Sequence, residues 1–310
     1  PVTVPVDGKN YQTNPVRFSV VKPGTTDRLD LEVELSEKEC YVGQPVLITI
    51  KFYYYGENVK LSSLNIPVFT SDDFILEEPD IPSRQVEPAQ LSNGITIGIV
   101  RSRVNHNNRQ TNLLAFSKIL IPKHSGVINI EPTSISADIG VGGSSDPFDS
   151  FFGGSFFGSN AQYKRFMVST KPTELNVLSV PEQGKPDSFY GLIGNYSIES
   201  SAAPTQVSVG DPITLNIKIG GNKYLKPVQW PKLEQIPGFE GNFKIPSEQA
   251  SPVTENGYKV FTQTIRANND KVTEIPSIPL AYFDVEKGTY VTAKTKPIKL
   301  EFSPTKVLTG

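Results

Sequence analysis

The sequence predicts an all-β protein with two complete sandwich domains in tandem, and three observations predict it. Apolar and polar residues alternate in short runs, helix breakers are frequent, and one set of landmarks occurs twice in the same order. Of 310 residues, 26 are Pro and 24 are Gly, and both weaken helices. The apolar content of 37% and charged content of 20% are those of a globular chain. At this length a single hydrophobic core seldom suffices, which favours more than one domain.

The strand signal is clearest at 46–54, where Val46, Ile48, Ile50, Phe52 and Tyr54 share one face at period two. Ile213, Leu215, Ile217 and Ile219 repeat it, with Thr214, Asn216 and Lys218 turned to water. Each run follows the same turn, Val42-Gly43-Gln44-Pro45 and Val209-Gly210-Asp211-Pro212, at an offset of 167 residues. Further along, Ile66-Pro67 with Phe74 matches Trp230-Pro231 with Phe239. Asn93-Gly94 matches Asn256-Gly257, each a tight-turn dipeptide ahead of a strand. Phe116 and Ile130 match Phe261 and Ile275 at an offset of 145, and Thr170-Lys171-Pro172 matches Thr295-Lys296-Pro297 at 125. The falling offset places two insertions in the first copy, at about 95–112 and 138–162. Both read as loops on an intact sandwich.

The resulting organisation has five parts. Residues 1–22 read as the C-terminal hairpin of a truncated preceding β domain, because 7–18 resembles 286–300: a turn, a Tyr-bearing strand, then Pro and an alternating strand. Residues 28–178 form the first complete sandwich, 179–194 the linker, 195–303 the second sandwich and 304–310 a tail. The apolar run Phe189-Tyr190-Gly191-Leu192-Ile193 suits the junction between the two. The second unit, about 100 residues long and lacking the Cys…Trp…Cys pattern, has the size of a disulfide-free immunoglobulin-like domain.

Composition excludes several functions. A net charge of -2 opposes sequence-independent binding of nucleic acid. Two His and one Cys leave no disulfide framework, CxxC motif or His-rich metal centre. No apolar window reaches the roughly 20 residues of a membrane helix, and Pro1–Pro5 lacks the features of a signal peptide. We therefore expect no enzyme, with no catalytic, cofactor-binding or metal-ligating residue. His106, in Asn105-His106-Asn107-Asn108, and His124, in Lys123-His124-Ser125-Gly126, read as solvated loop histidines without an acidic cluster beside them. Cys40 reads as a small, half-buried side chain on a strand. Asp72-Asp73 and Glu77-Glu78 read as surface charge. Trp230 takes the place of Ile66 and reads as core, and strand propensity accounts for Tyr53-Tyr54-Tyr55.

The exception is the segment 140–158, which sets Phe148, Phe151, Phe152, Phe156 and Phe157 in a Gly/Ser-rich stretch. Flexible segments are normally polar, and exposed rings are costly in water. These five are the candidate interaction loop, toward a partner, a membrane surface or the chain's own domain. Two rival readings are a carbohydrate- or cell-surface-binding module built on Trp230 and an accessory region of an envelope enzyme.

Several stretches together resemble the BatD family of bacterial oxygen-tolerance (aerotolerance) proteins. They are the aromatic segment from Asp146-Pro147-Phe148 to Phe157 and the linker from Val180-Pro181 to Phe189, followed by Gly194-Asn195-Tyr196. With them go Val209-Gly210-Asp211-Pro212 and the run from Thr273-Glu274-Ile275-Pro276 through Tyr282-Phe283-Asp284 to Tyr290-Val291-Thr292. The resemblance spans almost the whole chain. It implies an extracytoplasmic array of immunoglobulin-like domains on the periplasmic side of the inner membrane, with its membrane anchor outside this chain. It also implies work beside membrane proteins of the von Willebrand factor A type and a MoxR-type ATPase, without enzymatic activity or cofactor.

Overall fold

The computed structural model describes residues 3–6, 9–12, 24–79, 86–90, 94–141, 162–222 and 224–303. Regular structure among them is extended, apart from short 3₁₀ turns at Pro67–Thr70 and Leu233–Gln235. Strands β1 (Thr3–Val6) and β2 (Lys9–Gln12) pair as an antiparallel hairpin at the start of the chain.

The first unit begins with β3 (Leu29–Leu35), β4 (Glu39–Tyr41), β5 (Val46–Tyr54), β6 (Val59–Asn65), β7 (Phe74–Glu77) and β8 (Glu87–Gln90). It continues with β9 (Thr96–His106), β10 (Arg109–Pro122), β11 (Gly126–Ile130), β12 (Ser134–Val141), β13 (Gln162–Ser169) and β14 (Thr173–Leu178). One layer has the order β3-β5-β10-β9-β8, with β7 also paired to β10. The opposite layer consists of β11-β14-β4 and β13-β12-β6. A single cluster of buried side chains joins the two, from Ile48, Ile50, Phe52 and Phe116 on one side to Ile128, Ile135, Ile139 and Leu175 on the other.

The second unit comprises β15 (Ser197–Ala203), β16 (Gln206–Val207), β17 (Ile213–Gly220), β18 (Phe243–Lys244), β19 (Val253–Glu255) and β20 (Tyr258–Ala267). It closes with β21 (Glu274–Ile275), β22 (Pro279–Asp284), β23 (Thr289–Lys294), β24 (Ile298–Lys299) and β25 (Glu301–Phe302). Its own cluster holds Leu215, Ile217, Phe239, Phe261, Ile275 and Leu280.

The two units share their hydrogen-bond register strand pair by strand pair. Ile50 lies opposite Val33 and Phe116, and Ile217 lies opposite Ser200 and Phe261. Ile130 faces Thr173 as Ile275 faces Ile298, and Ser134 faces Ser169 as Pro279 faces Lys294. The parallel pairs agree too: Cys40 with Val177, Val207 with Phe302. Even the polar outer face repeats, since Thr49 Oγ1 meets Ser117 Oγ at 2.9 Å and Thr262 donates to Asn216 Oδ1 at 2.8 Å. The repeated turn before β5 and β17 places Gly43 and Gly210 at φ of 81° and 84°, a region that L side chains avoid. Ile48, Ile50, Leu215 and Ile217 are fully buried, whereas Thr49, Lys51, Asn216 and Lys218 are not.

Register also corrects three expectations. Phe74 pairs opposite Pro122 and Phe243 opposite Ala267, so the counterpart of Phe74 is Phe243, not Phe239. Asn256-Gly257 turns between Glu255 and Tyr258, and the matching turn in the first unit is Asn107-Asn108, between His106 and Arg109. Asn93-Gly94 instead precedes β9, whose partner β8 has no equivalent in the second unit. Finally, 95–112 is no loop. It forms most of a long β9–β10 hairpin, because Asn107 and Asn108 adopt φ of 51° and 62° and close a two-residue turn. Of the second insertion, 138–141 and 162 belong to β12 and β13, paired as far as Val141 opposite Gln162. Residues 142–161, with all five candidate phenylalanines, lie outside the described residues.

The units meet around one aromatic cluster. Tyr41 of the first packs edge-on against Phe283 of the second at 4.7 Å, and Phe283 packs in turn against Tyr290 at 5.2 Å. Tyr290 also packs edge-on against Phe189 of the connecting stretch, and its hydroxyl donates to the carbonyl of Pro181 at 2.8 Å. Ile193, buried, pairs beside Phe283 and presses on Gly43, where a Cβ would lie 3.1 Å from Ile193 Cδ1. Lys226 and Glu77 add an ion pair across the junction.

Phe116 and Phe261 occupy one position in two cores, both almost fully buried. Truncating either to Ala should cost about 3–5 kcal/mol. Urea unfolding should show comparable losses for Phe116→Ala and Phe261→Ala, and a negligible loss for either would contradict the shared register.

Candidate functional site

The side-chain cluster with most chemical content sits on the outer face of the first unit, at the tip of the hairpin that the second unit lacks in this length. Period two places Asp30 and Glu32 of β3 on the same face as Lys51 and Tyr53 of β5, with Asp30 directly opposite Tyr53. The β9–β10 tip folds over this face and lays the His106 ring on the Tyr53 ring, centroids 3.7 Å apart and planes within 6°. The stack leaves only 7% of Tyr53 exposed. His106 Nε2 lies 2.7 Å from Asp30 Oδ2, and the backbone N–H of Leu31 holds the other Asp30 oxygen at 2.8 Å. Tyr53 donates its hydroxyl to Glu32 Oε2 at 3.0 Å. Burial, that hydrogen bond and the surrounding carboxylates together push the Tyr53 phenol well above its usual range.

His106 is therefore not a solvated loop histidine. It ends a strand, its side chain is 17% exposed, and an acidic group faces it. The partner, Asp30, lies 76 residues away in sequence, which is why local inspection of the Asn-rich turn missed it. The Asn-Asn dipeptide after His106 was the available signal, since it marks a hairpin tip rather than an open loop. Beside the stack lies a cleft of about 220 Å³ whose walls include Asp27, Arg28, Tyr55 and Arg109. Arg109 pairs with Asp27 at 3.3 Å, and Arg28 donates to the carbonyls of Tyr55 and Glu57. Asp30, Glu32 and His106 bring three donor atoms within 4.8 Å of one another, the arrangement among the described residues that could hold a metal ion.

The other singled-out residues are more ordinary. His124 is 55% exposed in its turn, but Asp73 Oδ1 lies 2.9 Å from its Nε2. That bond holds the Asp73 carboxyl below its usual range, helped by Ser71, and raises the His124 imidazole. Glu77 and Glu78 are paired with Lys226 and Lys118. Cys40 is buried on β4, and burial, aided by Glu37 and Glu39, pushes its thiol up to about 12. Trp230 is half-buried and edge-on to Phe261 at 4.9 Å, packed against the second core. Its free margin lines a cleft of about 340 Å³ with Tyr190 and Gln235. No helix among the described residues is long and apolar enough to cross a membrane.

Fold and sites together define an all-β sandwich protein with two core clusters and a specialised first unit. Residues 200–302 match the family model described as the BatD DUF11 like domain. The second unit is thus similar to a BatD domain, and the registers above relate the first unit to the second strand by strand. No curated protein matches the chain.

Two outcomes follow for titrating groups. Cys40 should resist a thiol reagent in the native protein at pH 8 and react fully in denaturant. Its native thiol ionises near 12 against an ordinary 9.0, so its stabilising contribution is complete below about pH 9 and is lost as pH climbs toward 12. The His124 imidazole should titrate above its ordinary 6.5 by NMR and return toward it in Asp73→Asn. An unshifted His124 would rule out the Asp73 pair in solution.

Proposed function

We propose that this chain is a non-catalytic, extracytoplasmic interaction ectodomain of a membrane-associated oxygen- and stress-tolerance complex, on the periplasmic side of the inner membrane. The observation that carries the reading is the BatD match over the second unit. The strand order of each unit, with two facing layers and a parallel pair at one margin, supports an immunoglobulin-like module. The partners on this reading are membrane proteins of the von Willebrand factor A type and a MoxR-type ATPase. Contact with them falls to Phe148, Phe151, Phe152, Phe156 and Phe157. Their segment connects β12, which ends at Val141, to β13, which begins at Gln162. A few clustered rings are the usual anchors of such an interface.

The cleft beside Trp230 and Tyr190 favours a second reading, carbohydrate binding. Glycan binding lost in Trp230→Ala with the fold intact would establish it.

A pull-down from solubilised membranes tests the leading reading. The chain should retain a von Willebrand factor A-type membrane protein. A variant with Phe151, Phe152, Phe156 and Phe157 all changed to Ser should retain much less, with a nearly unchanged melting temperature. Equal capture by both, or unfolding of the variant, would refute the assignment of the aromatic segment.

A further inference from the structure

We propose that Asp30, Glu32 and His106 bind one divalent transition-metal ion, such as Zn²⁺, on the outer face of the first sandwich. Exposed carboxylates on a sheet are common and bind nothing, so the argument rests on what distinguishes these three. They offer two oxygens and one imidazole nitrogen within 4.8 Å of one another, a donor set that suits Zn²⁺ and its first-row neighbours. Neither carboxylate forms an ion pair with a Lys or Arg among the described residues. Lys51 pairs with Glu34, Arg109 with Asp27, and Arg28 spends its donors on backbone carbonyls.

The donors are also held in place. Tyr53 fixes the His106 ring by stacking and fixes Glu32 through its hydroxyl. Leu31 N–H fixes Asp30. Hydrogen bonds of this kind, from groups behind the ligands, orient metal sites and raise their affinity. The His106–Asp30 separation of 2.7 Å is a hydrogen bond, closer than two ligands sit on a tetrahedral ion with bonds of about 2.0–2.1 Å. An ion therefore enters by parting this pair slightly and taking the place of their hydrogen bond, while Glu32 closes from the neighbouring position.

A second observation comes from the sister unit. There the places of Asp30 and Tyr53 are taken by Ser197 and Gly220, which pair with each other in the same register. The space over Gly220 is filled by the Tyr258 ring, 2.6 Å from where a Cβ would be, and the hairpin turns immediately before Tyr258. The duplicated framework is complete without the cluster. Only the lengthened β9–β10 hairpin brings the imidazole to the carboxylates.

The test is a calorimetric titration of ZnCl₂ into the tag-free chain at neutral pH. One saturable site per chain is expected. Glu32→Gln and His106→Gln should each weaken binding at least tenfold. Tyr53→Phe keeps the stacked ring but loses the bond to Glu32, and should weaken it about tenfold. His124→Ala removes the other of the two histidines and should change nothing. Absence of saturable one-to-one binding, wild-type affinity in Glu32→Gln, or loss of binding in His124→Ala would each overturn the site and leave His106–Asp30 a plain hydrogen bond. Should His106→Gln disturb the hairpin by circular dichroism, the Glu32→Gln result decides.

Discussion

The constraint on which the rest depends is the inward row of β5 and its counterpart β17. Val46, Ile48, Ile50 and Phe52, like Ile213, Leu215, Ile217 and Ile219, are almost wholly removed from water. Each row sits centrally in its layer, between an N-terminal strand and the strand that carries Phe116 or Phe261. A slip of one residue would turn four large apolar groups outward, at about 1.5–3 kcal/mol for each side chain. No turn or surface contact in the molecule competes with that sum. The row consequently holds the register of its two neighbours, and those in turn set where the opposite layer closes. The two units keep one register through six strand pairs while little of their surface is alike.

That rigidity explains where divergence is tolerated. Between Phe74 and Phe116 the first unit carries the extra strand β8 and a longer hairpin, yet Phe116 still meets Ile50 as Phe261 meets Ile217. A hairpin can lengthen at its tip without disturbing its base, since each added pair satisfies its own backbone groups. The addition extends past the end of the core and bends over the outer face. It becomes the support for His106 rather than a part of the sandwich.

The fold was largely legible because its signal is local. Alternation in 46–54 and 213–219 and the paired Val-Gly-Xaa-Pro turns need only neighbouring residues to be read, and the all-β class and the repeated strands follow from them. The mistaken pairings, Phe74 with Phe239 and Asn93-Gly94 with Asn256-Gly257, share one cause. Similar local chemistry was matched in the stretch where the chain lengths differ, and there only hydrogen-bond partners reveal the true counterpart. The site was illegible for a related reason. Asp30, Tyr53 and His106 belong to three strands, and their meeting depends on a bend in a hairpin whose tip reads in sequence as an open polar loop.

The placement of these features along β5 carries a last consequence. Its N-terminal end follows Tyr41 and Gly43, which dock against Phe283 and Ile193 of the second unit. Its C-terminal end holds Tyr53, under His106, about 23 Å from Val46 for seven steps of about 3.3 Å each. The same distal end receives Val59 opposite Ile139, where β12 runs out toward Val141 and β13 returns from Gln162. The junction end is spent on holding the two units together through packed aromatic rings. The tip of the lengthened β9–β10 hairpin lies at the end away from that junction, whereas the extra strand β8 pairs with the base of β9. The frame common to both units thus has one end committed to its neighbour, and the His106–Tyr53 stack lies toward the other, where added side chains disturb neither core.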